Sequence, residues 1–212
     1  MSGARLVVGV AGTALAPEER DFLRDRRPFG VLLFERNLES AAQAAALVEE
    51  IRATCDLAPL LFVDQEGGRV DRIGPLLGLA FPSASELAEK GMHRVHEGAW
   101  LMGRAARMLG FDVDFAPCLD LSQPGTGAIV LAGRCYGFHA EDVVVAGSVF
   151  LHGLARAGVA SCVKHFPGLG RGPAPRRPRR CMARGRPGRS TGRCRRARVS
   201  SPRPPVSAPA PP

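Results

Sequence analysis

A break near residue 170 constrains this chain more than any other feature. All 20 acidic residues and all five histidines precede position 171, the last of them being Asp142 and His165. From Arg171 to Pro212 the sequence is drawn almost wholly from Arg, Pro, Gly, Ala and Ser, with no Asp, Glu, Lys or His. A stretch of like charge broken by proline cannot bury enough apolar surface to offset its conformational entropy. Residues 171–212 are expected to be a disordered tail, so residues 1–170 must supply whatever core exists.

The same break changes what the charge means. A net charge of +9 suggests a nucleic-acid binder if the chain is taken whole. Thirteen of the 29 basic residues are tail arginines, which leaves 16 basic against 20 acidic residues before position 171. The body is thus mildly acidic and ordinary for a cytoplasmic enzyme. Basic arms that bind nucleic acid mix in lysine and aromatic residues, and this tail has neither. Binding of nucleic acid or another anionic polymer is the weaker reading. Arg, Pro, Gly and Ala are residues with GC-rich codons, and an out-of-frame origin fits the tail better.

Six cysteines, at 55, 118, 135, 162, 181 and 194, form no CxxC and have no histidine at metal-ligand spacing. No zinc site is expected. The four in the body read as buried or incidental thiols of a reducing compartment. No apolar run is long enough to span a membrane. The opening MSGARLVVGVAG reads as a first strand, and GTALAPEERDFL as a loop and helix start.

Strand and helix patterns alternate through the body, which argues for βα units and a parallel sheet. Apolar runs at Leu6–Val10, Gly30–Phe34, Pro59–Asp64, Phe111–Pro117 and Val159–Phe166 are the strand candidates. Ser40-Ala41-Ala42-Gln43 and Ser83-Ala84-Ser85-Glu86 are capping-box starts, the first opening a helix to about Thr54. Val95, Ala99, Met102, Ala106 and Leu109 keep helical spacing, with Gly110 as the stop. Val144, Gly147, Leu151 and Leu154 mark a later helix ending near Gly158. The non-periodic stretch from Ser122 to Phe138 is too long for a passive connection and suggests a functional loop.

Polar residues gather where strands end. Asp64 ends the third strand, Asp120 follows the fourth, and Lys164-His165 ends the fifth. Strand C-termini hold the active site in a (β/α)8 barrel and also in a doubly wound sheet, and composition does not separate the two. No glycine-rich nucleotide cradle is present. In Asp64-Gln65-Glu66-Gly67-Gly68-Arg69-Val70-Asp71-Arg72, a strand-end carboxylate can accept two sugar hydroxyls. The glycine pair allows a sharp turn, and Arg72 can return as a planar five-donor group. Read conservatively, Asp64 and Arg72 brace their own loop. Lys164 and His165, before Phe166-Pro167-Gly168, offer adjacent donors for hydroxyl or carbonyl oxygens.

Together, GVLLFERN (30–37), LLFVDQEGGRVDRI (60–73), FPSASELA (81–88), GFDVDFAPCLDL (110–121), GRCYG (133–137) and GLARAGVASCVKHFPGLG (153–170) resemble the family 3 glycoside hydrolases. The likeness is to the bacterial β-N-acetylhexosaminidases, in the family's order over most of residues 1–170. The resemblance implies a (β/α)8 TIM barrel and no cofactor. It implies a substrate with terminal β-linked N-acetylglucosamine, in the setting of peptidoglycan fragment turnover. It implies that Asp64, Arg72, Arg134, Lys164 and His165 bind the amino sugar.

The family's mechanism is retaining. An Asp near the seventh strand attacks the anomeric carbon, and a His–Asp pair shortly after KHFPG protonates the leaving oxygen, in place of the usual second carboxylate. Here nothing beyond residue 170 can supply either group, so no catalytic residue is expected. The tail has no strand pattern, so only about five βα units are expected. Strand edges left unpaired would make the chain poorly soluble or partly folded. Leu169 stands where many members carry His, and Cys135 where Ser is common. The reading that follows is a β-N-acetylhexosaminidase truncated to its sugar-binding half and inactive as written. A non-catalytic amino-sugar-binding module is the alternative.

Overall fold

The computed structural model describes residues 4–122 and 131–169. The disordered tail expected at 171–212, and positions 123–130 of the expected functional loop, lie outside the described residues.

Among the described residues ten strands and α-helices follow one another. They are β1 (Ala4–Gly9), α1 (Pro17–Arg26), β2 (Pro28–Leu32), α2 (Ala41–Thr54), β3 (Leu60–Val63), α3 (Ala84–Glu89), α4 (Met92–Met108), β4 (Val113–Asp114), α5 (Ala140–Arg156) and β5 (Ala160–Ser161). The strands form one sheet in the order β1-β2-β3-β4-β5, every pair parallel. A doubly wound sheet reverses direction from its first strands, giving orders such as 2-1-3-4-5. Strictly sequential order is the winding of a (β/α)8 barrel and removes the ambiguity left by composition.

The strands differ from expectation at their ends. β2 starts at Pro28 and closes at Leu32, not Phe34. The last two ladders are two residues long, shorter than the apolar runs around them. The ladder turns irregular over Phe115–Pro117: Phe115 N donates to Val63 O at 2.9 Å and Pro117 O accepts from Lys164 N at 3.3 Å, but Pro117 has no N–H to donate. The ladder resumes as a parallel bridge between Cys118 and Lys164, where Leu119 N donates to Lys164 O at 2.7 Å. That bridge carries Lys164 to the level of the site.

The expected helix starts form. Ser83 Oγ accepts from Glu86 N while Glu86 Oε2 accepts from Ser83 N, a complete capping box. At Ser40 the hydroxyl accepts from Gln43 N, but Gln43 Oε1 reaches back to Glu39 N instead of the cap's own N–H. The stripe read on α5 is corrected. Val144 is exposed, and the buried face is Val143, Ala146, Gly147, Phe150, Gly153 and Leu154. A helix with four valines in its first ten positions offers two overlapping apolar stripes, and packing against α4 selects the one containing Phe150.

Two cores result. Val31, Leu33, Leu61 and Val63 of the sheet region pack against Leu47, Val48 and Ile51 of α2. A second cluster joins Leu87 of α3, Val95, Ala99 and Met102 of α4, Phe150 and Leu154 of α5, and Tyr136. The α4–α5 seam is close because it is lined by small residues. A Cβ built on Gly153 would lie 2.6 Å from His96 O and 2.7 Å from Ala99 Cβ.

Candidate functional site

The segment after β3 is built to hold a carboxylate in a fixed place. Gln65 is fully buried; its amide oxygen accepts from Arg72 N at 2.8 Å and Ile73 N at 2.9 Å, and its Nε2 donates to Asp71 Oδ1 at 2.9 Å. Asp71 in turn accepts from Gly74 N and Phe81 N. Gly67 turns the chain with φ +82°, where a Cβ would meet Pro82 O at 2.1 Å. The result projects Asp64 and Glu66 beyond the end of the sheet.

Glu66 is the residue that organises the site. Its side chain is 4% exposed and takes Arg134 in a two-pronged pair, both bonds 2.7 Å. It also receives Lys164 Nζ at 2.5 Å. Lys164 simultaneously contacts Asp64 Oδ1. Burial pushes the Glu66 carboxyl up, but hydrogen bonds from Arg134 and the nearby Lys164 outweigh it, so the group sits below its ordinary range. At Asp64 burial wins and raises the carboxyl, partly countered by Lys164. The Glu66 hydrogen bonds hold the Arg134 guanidinium above its usual value.

Arg134 is placed by its own segment. Tyr136 is buried against Phe150, ring centroids 6.1 Å apart, and anchors residues 131–138 in the second core. Gly133 O accepts from Ser85 N, tying the segment to α3. Arg134 Nη2 lies 3.3 Å from His165 Nε2. A guanidinium can only donate, so Nε2 accepts and the imidazole proton sits on Nδ1. That nitrogen lies 2.6 Å from Asp120 Oδ2. Burial raises the Asp120 carboxyl, and hydrogen bonds from His165 and Leu169 N more than reverse it.

Beneath these groups lies Asp114, at the end of β4 and fully buried. Oδ1 accepts from Gln65 N at 2.9 Å, while Oδ2 has no hydrogen-bond partner. Burial pushes this carboxyl well above its ordinary range.

Four of the five expected site residues, Asp64, Arg134, Lys164 and His165, are linked in one network. Arg72 is placed differently. Its Nη1 donates to Glu35 Oε2 at 2.7 Å, so it braces the segment after β2 and does not pair with Asp64. Sequence reasoning assigned no role to Glu66 or Asp114, although both sit in quoted motifs at or just past strand ends. The body cysteines are free thiols placed as expected. Cys55, Cys118 and Cys135 are buried and Cys162 is exposed. Cys118 Sγ, Asp120 and His165 bring donor atoms within 4.8 Å of one another, a grouping invisible to local spacing.

The arrangement can present carboxylate acceptors and cationic donors together at the C-terminal mouth of a barrel sheet. Asp64 and His165 are its most open members, each with a side chain 25% exposed. Comparison with known proteins agrees with that architecture. Residues 4–176 match the glycosyl hydrolase family 3 N-terminal domain. A β-hexosaminidase of Xylella fastidiosa is 37% identical over 172 residues, covering 78% of this chain and 50% of the relative. NagZ from Neisseria gonorrhoeae, solved with N-trifluoroacetyl-D-glucosamine, superposes with TM-score 0.72 at 27% identity, covering 79% of this chain and 51% of the other. A family 3 β-N-acetylglucosaminidase from Paenibacillus sp. gives TM-score 0.68 at 32% identity, covering 79% and 32%. The chain spans about half the length of the curated relatives it matches. With sequential βα winding, polar strand ends and a family match across the whole described region, the chain belongs to glycosyl hydrolase family 3.

Proposed function

We propose that this chain carries the amino-sugar-binding half of a β-N-acetylhexosaminidase site and that its own residues bind, but do not cleave, a terminal β-linked N-acetylglucosamine. The observation that carries this is the network of Asp64, Glu66, Arg134, Lys164 and His165 at the mouth of the sheet. Asp64 is the acceptor for sugar hydroxyls, held by Lys164. Lys164 is the donor, His165 lines the site between Arg134 and Asp120, and Glu66 fixes Lys164 and Arg134 while offsetting part of their charge. Arg72 shapes the rim through Glu35.

Cleavage needs groups this network lacks. No histidine follows His165 and no carboxylate follows Asp142 in the chain. Binding residues alone do not lower a barrier without the nucleophile and acid of the retaining reaction. The setting that fits is turnover of peptidoglycan fragments in the cytoplasm. Among the described residues no helix is long and apolar enough to cross a membrane.

The test is titration of the purified chain with N-acetylglucosamine, followed by calorimetry or by amide chemical shifts. Saturable binding that is lost in Asp64→Ala supports the reading. Absence of saturable binding by folded protein, or binding indifferent to Asp64→Ala, overturns it. Release of 4-nitrophenol from its N-acetylglucosaminide by the chain alone overturns the non-cleaving half.

A further inference from the structure

Beside the sugar-binding network, and sharing His165 with it, lies a second set of donors. Cys118 is buried directly after β4, Asp120 follows two residues later, and His165 comes from the end of β5. Cys118 Sγ lies 3.3 Å from Asp120 Oδ2 and 4.0 Å from His165 Nδ1, and Asp120 Oδ2 lies 2.6 Å from His165 Nδ1. Cys135 shares a buried cluster with Cys118, but its thiol donates to Leu131 O at 3.8 Å. One sulfur, one imidazole nitrogen and one carboxylate oxygen, all within 4.8 Å of one another, thus converge from the segments that follow β4 and β5.

We propose that Cys118, Asp120 and His165 form a site for a soft divalent cation of the zinc type, with its fourth position left to water, and that filling it opposes sugar binding. The donor set is the mixed sulfur, nitrogen and oxygen set that zinc accepts. Metal–ligand lengths place the donors of a tetrahedral zinc site roughly 3.4–3.6 Å apart. The three separations above bracket that range, so side-chain shifts of less than an ångström close the shell. Cys118 and Asp120 are buried. His165, with its side chain 25% exposed, is the open side through which an ion enters.

Opposition to sugar follows from the imidazole. Nδ1 now carries the proton toward Asp120, and Nε2 accepts from Arg134. An ion held by Nδ1 moves the proton to Nε2, which then faces a guanidinium that can only donate. The Arg134–His165 contact must break, and His165 turns from its place in the sugar network. The consequence for sugar rests on the proposed function above; metal binding itself does not.

Cobalt(II) is the probe, added to the full reduced chain. The expected result is a sulfur-to-cobalt charge-transfer band with visible bands of tetrahedral intensity, saturating at one ion per chain. Zinc bleaches the bands. Cys118→Val, which keeps an apolar side chain of similar size, abolishes them with an unchanged far-ultraviolet circular dichroism spectrum. Asp120→Asn weakens cobalt binding at least tenfold. Replacing Cys162, Cys181 and Cys194 together by Ser leaves the bands intact. No thiolate–cobalt band in folded protein overturns the site, as do bands that survive both Cys118→Val and Asp120→Asn, or that vanish with the triple Ser variant. N-acetylglucosamine is expected to lower cobalt affinity. Cobalt bands unmoved by sugar that demonstrably binds overturn the opposition, and failure of sugar to bind at all sinks only the proposed function.

Discussion

Glu66→Gln tests the organising role given to one carboxylate. Glu66 is nearly isosteric with Gln, so the change removes charge with little change in shape. In the wild type the Glu66 side chain is 4% and the Arg134 side chain 12% exposed, so their pair is a buried one. Removing one partner of a buried ion pair costs about 3–5 kcal/mol, because the other charge remains desolvated. Lys164 keeps Asp64, and the amide oxygen of Gln can still accept one bond from Arg134, which places the loss near the lower end, about 3 kcal/mol. For a body of this size that corresponds to a fall in Tm of roughly 6–12 °C. Urea unfolding of both proteins across pH is the assay. Because the Glu66 carboxyl sits below its ordinary value of 4.5 in the folded state, the stability it lends is complete above that value. It is lost as pH falls through the folded value. The gap between wild type and variant is therefore widest near neutral pH and narrows below pH 4.5. A gap under about 1 kcal/mol at neutral pH, typical of an exposed pair, refutes the reasoning. So does a gap that does not change with pH.

Asp114→Asn probes the opposite sign. The folded carboxyl titrates well above its ordinary 3.8, so wild-type stability declines as pH rises from 3.8 through the folded value, and the variant's urea-unfolding profile is expected to be flatter there. A variant profile parallel to the wild type would show that Asp114 is not the titrating group. Gly67→Ala sets a side chain 2.1 Å from Pro82 O at φ +82°, and is expected to lower stability by at least about 1–2 kcal/mol in urea unfolding and to abolish N-acetylglucosamine binding. Gly153→Ala pushes α5 off α4 at His96 O, with an expected loss of about 1–3 kcal/mol in thermal unfolding; full stability would mean the seam relaxes freely.

What sequence reading recovered follows from the range over which each interaction acts. Ser83 and Glu86 are three residues apart, and the capping box they spell is the one that forms. On α5, Gly147 and Leu154 are buried as read, but Val144 is exposed, because Val143, Val144 and Val145 are chemically alike and only contact with α4 distinguishes them. Strand ends were legible as places where a polar residue follows an apolar run, which is how Asp64, Lys164 and His165 stood out. Partners were not legible. Lys164 meets Asp64 across 100 residues of sequence, and Arg134 meets Glu66 across 68. Arg72 shows the same limit from the other side: its carboxylate is Glu35, 37 residues away and on another strand's loop, and not the Asp64 of its own loop.

Sequential parallel winding supplies the missing information, because it places each strand's C-terminal end beside the next. Residues after β3, β4 and β5 then become neighbours whatever their separation in sequence. Glu66 went unassigned because its value lies in reaching two cations delivered by that geometry, and nothing within its own loop reveals them. The thiols follow the same logic. Cys118 looks incidental until the bridge between Cys118 and Lys164 sets His165 and Asp120 against its buried sulfur. Local strings therefore identify which residues reach the mouth of the sheet. The order of the strands decides which of them share a proton, a charge or an ion.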